Sequence, residues 1–421
     1  MLTSIRYHNE SLTLVRNMLV PSNTKFQPPI PKGMIINEGK GSHINFTAGK
    51  NYRIRLINFS ALANALIHFD SHTMKVIMND AAMIKEHDAN MIRIAAAQRY
   101  DFIISAGSSE NTNYPFLISL DINRDLHNPA LDPLAWPFNY TGYLVMDSSK
   151  PLNGIDVVQK WDPVDDSHFK NYEGDGVYQN SAGGYDKLIK LDFQFCFDQN
   201  GYPRACFNNV TYIGQKVPTL YTAVTTGDDN TNPEIYGEVN PFIVNDGDIV
   251  QIVVNNLDVA AHPFHLHGHH FQVLDRANSQ AGTWPGDKDY ASTPDRRDTV
   301  TVNGGSYAVL RFKADNPGVW LFHCHIEWHV EMGLTATIIE GPSKLKGFSI
   351  PDDFTNACKV QNIPYQGNAA GNTQNYTDTT GFITVPPTTY EGSVYTASSK
   401  KRANVKRWRG SGEKVDAVFL N

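Results

Sequence analysis

Residues 249–270 read Ile249-Val-Gln-Ile-Val-Val-Asn-Asn-Leu-Asp-Val-Ala-Ala-His262-Pro-Phe-His-Leu-His-Gly-His-His270. A run rich in β-branched residues is followed by a polar turn and a second short segment in which histidines alternate with other residues. Segments of this kind are typical of β-strands. Similar runs begin at Tyr52, Tyr100 and Tyr307, and Gly, Asn, Asp and Pro turn signals separate them. The pattern predicts strands throughout the chain.

Evenly spaced short strands without a long helical period predict an all-β fold with Greek-key β-sandwich or barrel domains. A polar, Pro-containing stretch at Asp147–Asn153 marks the expected boundary between a first domain, residues 1–150, and a second, residues 151–342. Residues 343–421 are rich in Gly, Asn and Thr and carry the basic run Lys400–Arg409. We therefore predict an irregular C-terminal extension that ends in a disordered tail.

Composition excludes several classes of protein. The 421 residues include 41% hydrophobic and 19% charged residues, which is a globular composition. The net charge of −7 argues against a nucleic-acid partner, which would call for a basic surface. No run approaches the roughly 20 apolar residues of a transmembrane helix. The first twenty residues include Arg6, Glu10 and Arg16, so we predict no signal peptide in this chain.

Eight of the 15 histidines lie between His262 and His329, together with one of the four cysteines. The second histidine-rich segment reads His323-Cys-His-Ile-Glu-Trp-His329. Neighbouring side chains of a strand point to opposite faces, and side chains two residues apart share a face. His323 and His325 are therefore predicted on one face, with Cys324 between them on the other.

The first segment has the same parity, since His265 and His267 share a face and His262 lies opposite. If the two segments are adjacent strands, the sequence predicts two metal sites back to back. One face collects four histidines: His265, His267, His323 and His325. The other collects two histidines and a cysteine, a trigonal donor set that suits copper: His262, Cys324 and His329.

Other interpretations explain fewer of these residues. A structural zinc site would need paired cysteines at short spacing, which the sequence lacks. A catalytic Cys–His pair would use Cys324 and one histidine and leave the others without a role. His269 and His270 are expected to be solvated or hydrogen-bonded bystanders. The axial position of the copper set, ten residues after Cys324, is held by Leu334, which cannot bind a metal and would raise the copper potential.

The two motifs resemble the C-terminal copper motifs of the multicopper oxidases, in particular fungal laccases and iron-uptake ferroxidases. The resemblance extends to Ala96-Ala-Gln-Arg-Tyr100, Arg296-Arg-Asp-Thr-Val300 and Lys313-Ala-Asp-Asn-Pro-Gly-Val-Trp320. It implies a cupredoxin fold in each domain and a copper-dependent oxidoreductase that takes single electrons from a small-molecule reductant and reduces O2 to water. It also implies ligand roles: type 1 copper on His262, Cys324 and His329, type 2 copper on His265, and the type 3 pair on His267, His323 and His325.

The sequence departs from the family in its N-terminal part. Family oxidases have three cupredoxin domains, and the first supplies a His-Trp-His-Gly and a His-x-His motif that this sequence lacks. Residues 1–150 resemble the second domain and residues 151–342 the third, so the type 2 and type 3 ligand sets are incomplete. We expect a truncated oxidase that needs the missing domain. An electron-transfer fragment without oxidase activity, a catalytically dead fragment, and a partner chain that supplies the missing motifs remain open.

The reductant is the second open question. Asp258 matches a carboxylate that ferroxidases place near type 1 copper, where it is a possible substrate ligand and electron relay. Met78 aligns with the other expected carboxylate, and Arg204 replaces an aromatic residue. We therefore expect a laccase that oxidises phenols or pigment precursors, with an iron(II) ferroxidase of iron uptake as the alternative.

Family resemblance and N-glycosylation sequons predict an extracellular or cell-surface glycoprotein. The sequon asparagines are Asn9, Asn45, Asn58, Asn139, Asn209 and Asn375. Cys196 and Cys206 flank a turn-like segment and either pair across a hairpin or remain as two buried thiols. In relatives a C-terminal cysteine such as Cys358 bridges to the first domain, so Cys358 is expected to be unpaired here.

Overall fold

The computed structural model describes residues 1–37, 43–107, 112–121, 139–152, 154, 158 and 162–386, and the backbone of Lys406–Trp408 and Lys414–Asp416. Met1–Pro386 forms one compact unit and Pro387–Asn421 a second. In the second unit the two described segments pair as antiparallel strands. The disordered tail predicted at the C-terminus otherwise lies outside the described residues.

A first β-sandwich occupies the N-terminal part. Over the described residues it contains a six-stranded sheet of order β2-β1-β4-β9-β6-β7 and a five-stranded sheet of order β3-β11-β10-β5-β8. Its elements are β1 Leu2–Arg6, α1 Ser11–Met18, β2 Gly33–Ile36, β3 His43–Asn45, β4 Asn51–Asn58, β5 Ala65–Phe69, β6 Met74–Asn79, β7 Ala82–Ala89, β8 Met91–Ile94, β9 Arg99–Ser105, β10 Tyr114–Leu120 and β11 Asn139–Val145.

Alternating burial explains these strands. In β4, Ile54 and Leu56 point into the core, while the Arg55 side chain between them is 72% exposed. Phe69 of one sheet and Phe102 of the other are fully buried in the same cluster, with rings 5.7 Å apart. Each such side chain stabilises the fold by roughly 1.5–3 kcal/mol relative to an exposed one.

A second sandwich repeats the strand order of the first with every strand number raised by eleven. Its described sheets have the orders β13-β12-β15-β20-β17-β18 and β14-β22-β21-β16-β19. Its strands are β12 Lys187–Phe197, β13 Pro203–Phe207, β14 Pro241–Val244, β15 Ile249–Asn256, β16 His262–Leu266, β17 Phe271–Arg276, β18 Asp295–Arg297, β19 Thr299–Val302, β20 Ser306–Lys313, β21 Gly318–Cys324 and β22 Thr335–Glu340. The all-β prediction is confirmed.

Helices are short and lie between strands or after the second sandwich. The described α-helices that follow α1 are α2 Thr219–Thr225, α3 Glu327–Glu331, α4 Pro342–Leu345 and α5 Asp352–Val360, and 3₁₀ turns occur at Asp166–His168, Gly227–Thr231 and Pro233–Tyr236. None of the described helices has the length and apolar character needed to cross a membrane.

Residues 343–386 pack on the second sandwich without adding a described strand. The Gln215 side chain donates to the Ile383 carbonyl at 2.8 Å and accepts from the Ile383 N–H at 3.0 Å. The Val217 N–H donates to the Ala369 carbonyl at 3.2 Å. These contacts join the segment to the connection between β13 and β14 of the second sandwich.

A disulfide joins Cys196 and Cys206 across the β12–β13 hairpin, with Cα atoms 6.2 Å apart. The sequence left this pairing open. Among the described residues, Cys324 and Cys358 are free thiols, and both are buried.

Buried charges join the two sandwiches. Asp80, in the β6–β7 turn, and Arg297, in β18, are both almost fully buried, and Arg297 Nε lies 3.3 Å from Asp80 Oδ2. Arg297 Nη1 also lies 2.6 Å from Asp166 Oδ2. Removing one member of such a pair leaves an uncompensated buried charge, at a cost of roughly 3–5 kcal/mol. The network therefore fixes the first sandwich against the strands that lead to the histidine motifs.

We expect Gly142→Ala to destabilise the first sandwich. A Cβ at Gly142 would lie 2.1 Å from Cζ of Phe116, which is fully buried and faces Gly142 across the β10–β11 pair. Overpacking of this kind costs about 1–3 kcal/mol. Urea unfolding should show the loss, whereas Gly107→Ala, where no atom lies within 4 Å of the added Cβ, should leave the midpoint unchanged. Equal midpoints for both variants would contradict the packing at Gly142.

Asp295 gives a pH-dependent prediction. Burial raises the pKa of its carboxyl to about 6, although Arg297 and the Asn79 amide act to lower it. The folded state therefore holds the proton more tightly than the unfolded state. The stability that the protonated carboxyl provides is lost as the pH rises through about 6. At pH 7.5 the charged carboxylate should cost about 2–3 kcal/mol relative to pH 4. The free energy of unfolding of Asp295→Asn, measured with urea, should not fall in this way between pH 4 and pH 7.5. Identical pH profiles for variant and parent would refute the raised pKa of Asp295.

Candidate metal centre

Strand pairing brings the two histidine segments together. In the antiparallel pair β16–β21, Phe264 faces Cys324 and His265 faces His323. Because side chains alternate along each strand, His265 and His323 point to one face and Cys324 to the other. The adjacency assumed from the sequence is thus present in the structure.

The type 1 candidates, His262, Cys324 and His329, converge on one point. His262 Nδ1 lies 3.2 Å from His329 Nδ1, and Cys324 Sγ lies 3.9 Å and 3.6 Å from these two nitrogens. Within the described part of the chain, they are the one group of three or more His, Cys, Asp and Glu residues that could hold a metal ion, with donor atoms all within 4.8 Å of one another. All three residues are buried.

The electrostatics of this group suit a bound cation. Burial raises the pKa of the Cys324 thiol above its usual range, so the thiolate needs a positive charge beside it. Burial and the neighbouring His262 hold the pKa of His329 well below its usual value, so its imidazole is neutral and has a free lone pair. Two neutral imidazoles and one thiolate form the donor set that copper prefers. The residues present therefore fit a copper ion.

Asp258 sets the orientation of His262. Its Oδ2 lies 2.9 Å from His262 Nε2, so Nε2 carries the proton and Nδ1 faces the other donors. Burial alone would raise the pKa of Asp258, but the hydrogen bond from His262 and those from the backbone N–H groups of Ala260 and Val259 hold this pKa below the usual value. The side chain of Asp258 is 20% exposed, whereas that of His262 is 1% exposed. The carboxylate thus links the buried imidazole to solvent.

Leu334 is fully buried beside the type 1 candidates. The Cys324 N–H donates to the Leu334 carbonyl at 3.2 Å, and the Leu334 N–H donates to the His329 carbonyl at 3.0 Å. Helix α3 makes this arrangement possible, because it returns the chain to the strand within ten residues. The structure therefore places Leu334 next to Cys324 and His329 through its backbone, and its role as the apolar axial residue stays a prediction.

The four-histidine face consists of His265, His267, His323 and His325. Neighbouring rings have centroids 5.0–5.7 Å apart. His267 Nε2 lies 3.0 Å from His323 Nε2, and His323 Nδ1 lies 2.8 Å from the Cys324 carbonyl. Burial lowers the pKa of His323 to about 3 and that of His325 to about 4. The imidazoles of His323 and His325 are therefore neutral at physiological pH.

The first sandwich supports His265 through an ion pair. Arg99 of β9 binds Asp298 with both terminal guanidinium nitrogens, Nη1 and Nη2, at 2.7 Å and 2.6 Å. His265 Nδ1 lies 2.9 Å from the Asp298 carbonyl and 3.0 Å from Thr299 Oγ1. These partners engage Nδ1 of His265, and its ring lies beside those of the other three histidines. Outer-sphere contacts of this kind orient metal ligands.

The other two histidines of the first motif have partners outside these two groups. His269 Nε2 lies 2.5 Å from Glu340 Oε2, and His270 Nε2 lies 2.7 Å from the Asp80 carbonyl. Met78 lies in the first sandwich, where its sulphur is 3.7 Å from Arg53 Nη2. Arg204 is buried and forms an ion pair with Asp198.

Sequence reasoning missed an aromatic cap over the type 1 candidates. The Phe195 ring lies edge-on to His329, with centroids 5.2 Å apart, and Phe26 of the first sandwich stacks on Phe195 at 4.8 Å. Phe193 lies edge-on to His262 at 4.7 Å. The alternation Phe193-Gln-Phe-Cys-Phe197 signals one aromatic face of β12, but no local pattern marks Phe26.

Comparison with known proteins identifies the family. Residues 6–134 and 212–344 each match a family model described as multicopper oxidase. The chain belongs to the multicopper oxidase family. A similar protein is the iron transport multicopper oxidase fetC of Epichloe festucae, 41% identical over 389 residues, which cover 90% of this chain and 61% of the relative. The iron transport multicopper oxidase FET3 of Gibberella zeae is 39% identical over 384 residues, or 89% of this chain and 60% of the relative.

Solved structures agree with this multicopper oxidase assignment. The crystal structure of Fet3p, titled as a multicopper oxidase that functions in iron import, superposes with a TM-score of 0.82 at 32% identity, over 90% of this chain and 72% of that chain. A laccase from Botrytis aclada shares the fold, with a TM-score of 0.71 at 24% identity over 86% of this chain and 67% of that chain. The chain spans about 60% of the length of the curated relatives described above.

Proposed function

We propose that His262, Cys324 and His329 hold a type 1 copper ion and that this chain carries the electron-entry part of an iron(II)-oxidising multicopper oxidase. One observation carries the proposal: three buried donor atoms converge, and Asp258 links one of them to solvent. Copper bound there supplies a one-electron acceptor. Each Fe²⁺ gives up one electron and leaves as Fe³⁺, and four electrons with four protons reduce one O2 to two waters.

Asp258 is the residue that favours iron(II) as the reductant. Fe²⁺ takes oxygen ligands readily, and the ionised, partly exposed carboxylate of Asp258 offers them at hydrogen-bond distance from His262. The relatives described above are named for iron transport. Both observations support the ferroxidase alternative of the sequence analysis better than the laccase that it favoured.

Cys324 also lies on the route out of the type 1 site. It is covalently flanked by His323 and His325 of the four-histidine face, and His323 donates from Nδ1 to the Cys324 carbonyl. A short bonded path therefore joins the two sites. In this proposal His265 would bind type 2 copper, and His267, His323 and His325 would bind the type 3 pair. The other ligands of that cluster would come from a further domain or a partner chain.

We propose an extracellular or cell-surface location. The Cys196–Cys206 disulfide supports an oxidising compartment. Five sequon asparagines are exposed and suit glycosylation: Asn9, Asn45, Asn139, Asn209 and Asn375. Asn58 does not, because it is buried and its Nδ2 donates to the Ala63 and Ile94 carbonyls, both at 3.0 Å.

The copper proposal is tested by loading the purified chain with Cu²⁺ and recording its visible spectrum and copper content. An intense blue thiolate-to-copper band is expected. Cys324→Ser should abolish the band, because it removes the charge-transfer donor. Cys358→Ser is the matched control, since it replaces the other buried free thiol and should keep the band. A band that survives Cys324→Ser would disprove the type 1 assignment.

The iron proposal is tested by Asp258→Asn, which keeps the shape of the side chain and removes its charge. Anaerobic bleaching of the blue band by Fe²⁺ should slow by about tenfold or more, equivalent to about 1.4 kcal/mol or more in the barrier. Bleaching by ascorbate should change far less, because ascorbate does not need a metal ligand. The exposed Asp353→Asn should behave like the parent. Equal slowing with both reductants would show that Asp258 acts on the copper site rather than on iron.

A further inference from the structure

Phe26 has an unusual backbone conformation. Its φ is +53°, a left-handed value that bulky side chains rarely adopt. Such conformations persist only where surrounding contacts enforce them, and they are frequent at functional sites. Phe26 lies in the connection between α1 and β2, outside any strand or helix. The conformation therefore needs an explanation in the contacts of the side chain and the loop.

Asn23 fixes this loop. Its Nδ2 donates to the Met18 carbonyl at 3.0 Å and to the Gln27 carbonyl at 3.1 Å, and its Oδ1 accepts from the Gln27 N–H at 2.9 Å. Three hydrogen bonds from one side chain thus hold both sides of Phe26. These hydrogen bonds fix the position of the Phe26 ring without a bound reductant.

The ring of Phe26 covers the second sandwich at the type 1 candidates. It stacks on Phe195 with an interplanar angle of 16°, and it lies 4.8 Å from Phe197. Phe195 in turn lies edge-on to His329, with an interplanar angle of 80°. Cys196, between the two phenylalanines of β12, is tied to β13 by the disulfide. Both partners in the stack are therefore anchored.

The two imidazoles consequently have different surroundings. Each imidazole lies edge-on to a phenylalanine of β12, His262 to Phe193 and His329 to Phe195. The His262 side also presents a partly exposed carboxylate, Asp258, whereas on the His329 side the ring of Phe26 stacks on Phe195. A hydrated cation can reach a carboxylate without entering the protein. A bulky aromatic reductant needs contact with an imidazole edge, and Phe26 with Phe195 fills the space over His329.

We propose that Phe26 is a selectivity-determining residue that closes the His329 side to bulky aromatic reductants and leaves Asp258 and His262 as the entry for Fe²⁺. This inference rests on the proposed type 1 site. It explains why a sandwich without candidate copper ligands extends a strained aromatic residue over the other sandwich. The electron balance is unchanged: one electron leaves each reductant molecule, and the type 1 site accepts it.

The test compares Phe26→Gly, Phe26→Leu and the parent chain after copper loading. Glycine suits the positive φ and removes the ring, and leucine keeps part of its bulk. Anaerobic bleaching of the blue band by 2,6-dimethoxyphenol should accelerate by about tenfold or more in Phe26→Gly and less in Phe26→Leu. Bleaching by Fe²⁺ should stay within about twofold of the parent. Phe354→Ala, which removes an exposed ring from α5, is the control and should change neither rate.

A second measurement uses the metal-free chain. Diethylpyrocarbonate modification of His329, quantified by peptide mass, should increase in Phe26→Gly and stay low in the parent and in Phe354→Ala. Unchanged labelling, or equal acceleration by phenol and Fe²⁺, would overturn the role of Phe26. A loaded parent chain without a blue band would overturn the type 1 proposal as well. If the loaded chains are blue but 2,6-dimethoxyphenol bleaches Phe26→Gly and the parent at the same rate, the selectivity proposal alone is overturned.

Discussion

The antiparallel pairing of β16 with β21 is the contact on which the site depends. Phe264 faces Cys324 and His265 faces His323, so a single register decides which side chains lie together. A shift of one residue would move Cys324 to the four-histidine face and separate it from His262. The flanking strands β19 and β22 hold this pair in the middle of its sheet. The strand register that stabilises the sheet therefore also sets the geometry of the candidate metal centre.

The repeated strand order shows how one fold serves two tasks. In the first sandwich, β5 and β10 take the places that β16 and β21 take in the second. His68 is the one histidine or cysteine of β5, and β10 contains neither residue type. The first sandwich instead contributes from its edges and turns. Arg99 supports His265 through Asp298, Asp80 pairs with Arg297, and Phe26 covers Phe195. Its role is to position and cover the second sandwich.

The sequence predicted those parts of the structure that follow from local periodicity. The strands, the all-β class and the opposite orientation of Cys324 and its neighbouring histidines all follow from the two-residue repeat of a β-strand. Phe26 could not be predicted, because it lies in an irregular loop and its partner Phe195 is far away in the chain. The Cys196–Cys206 pairing was undecided, because spacing alone does not determine cross-strand geometry. Arg99 lies in one of the segments that resemble the family, but its ion pair with Asp298 depends on tertiary contacts that local sequence does not specify.

The distribution of supporting residues between the two sandwiches limits how this protein can be engineered. A chimera that receives only residues 187–340 would acquire every candidate ligand and lose Arg99, Asp80 and Phe26. Its second sandwich would expose Arg297 and the ring of Phe195 to water. Transplantation of the candidate copper centre into another scaffold therefore requires both sandwiches together, and recombination between relatives should keep them as one segment.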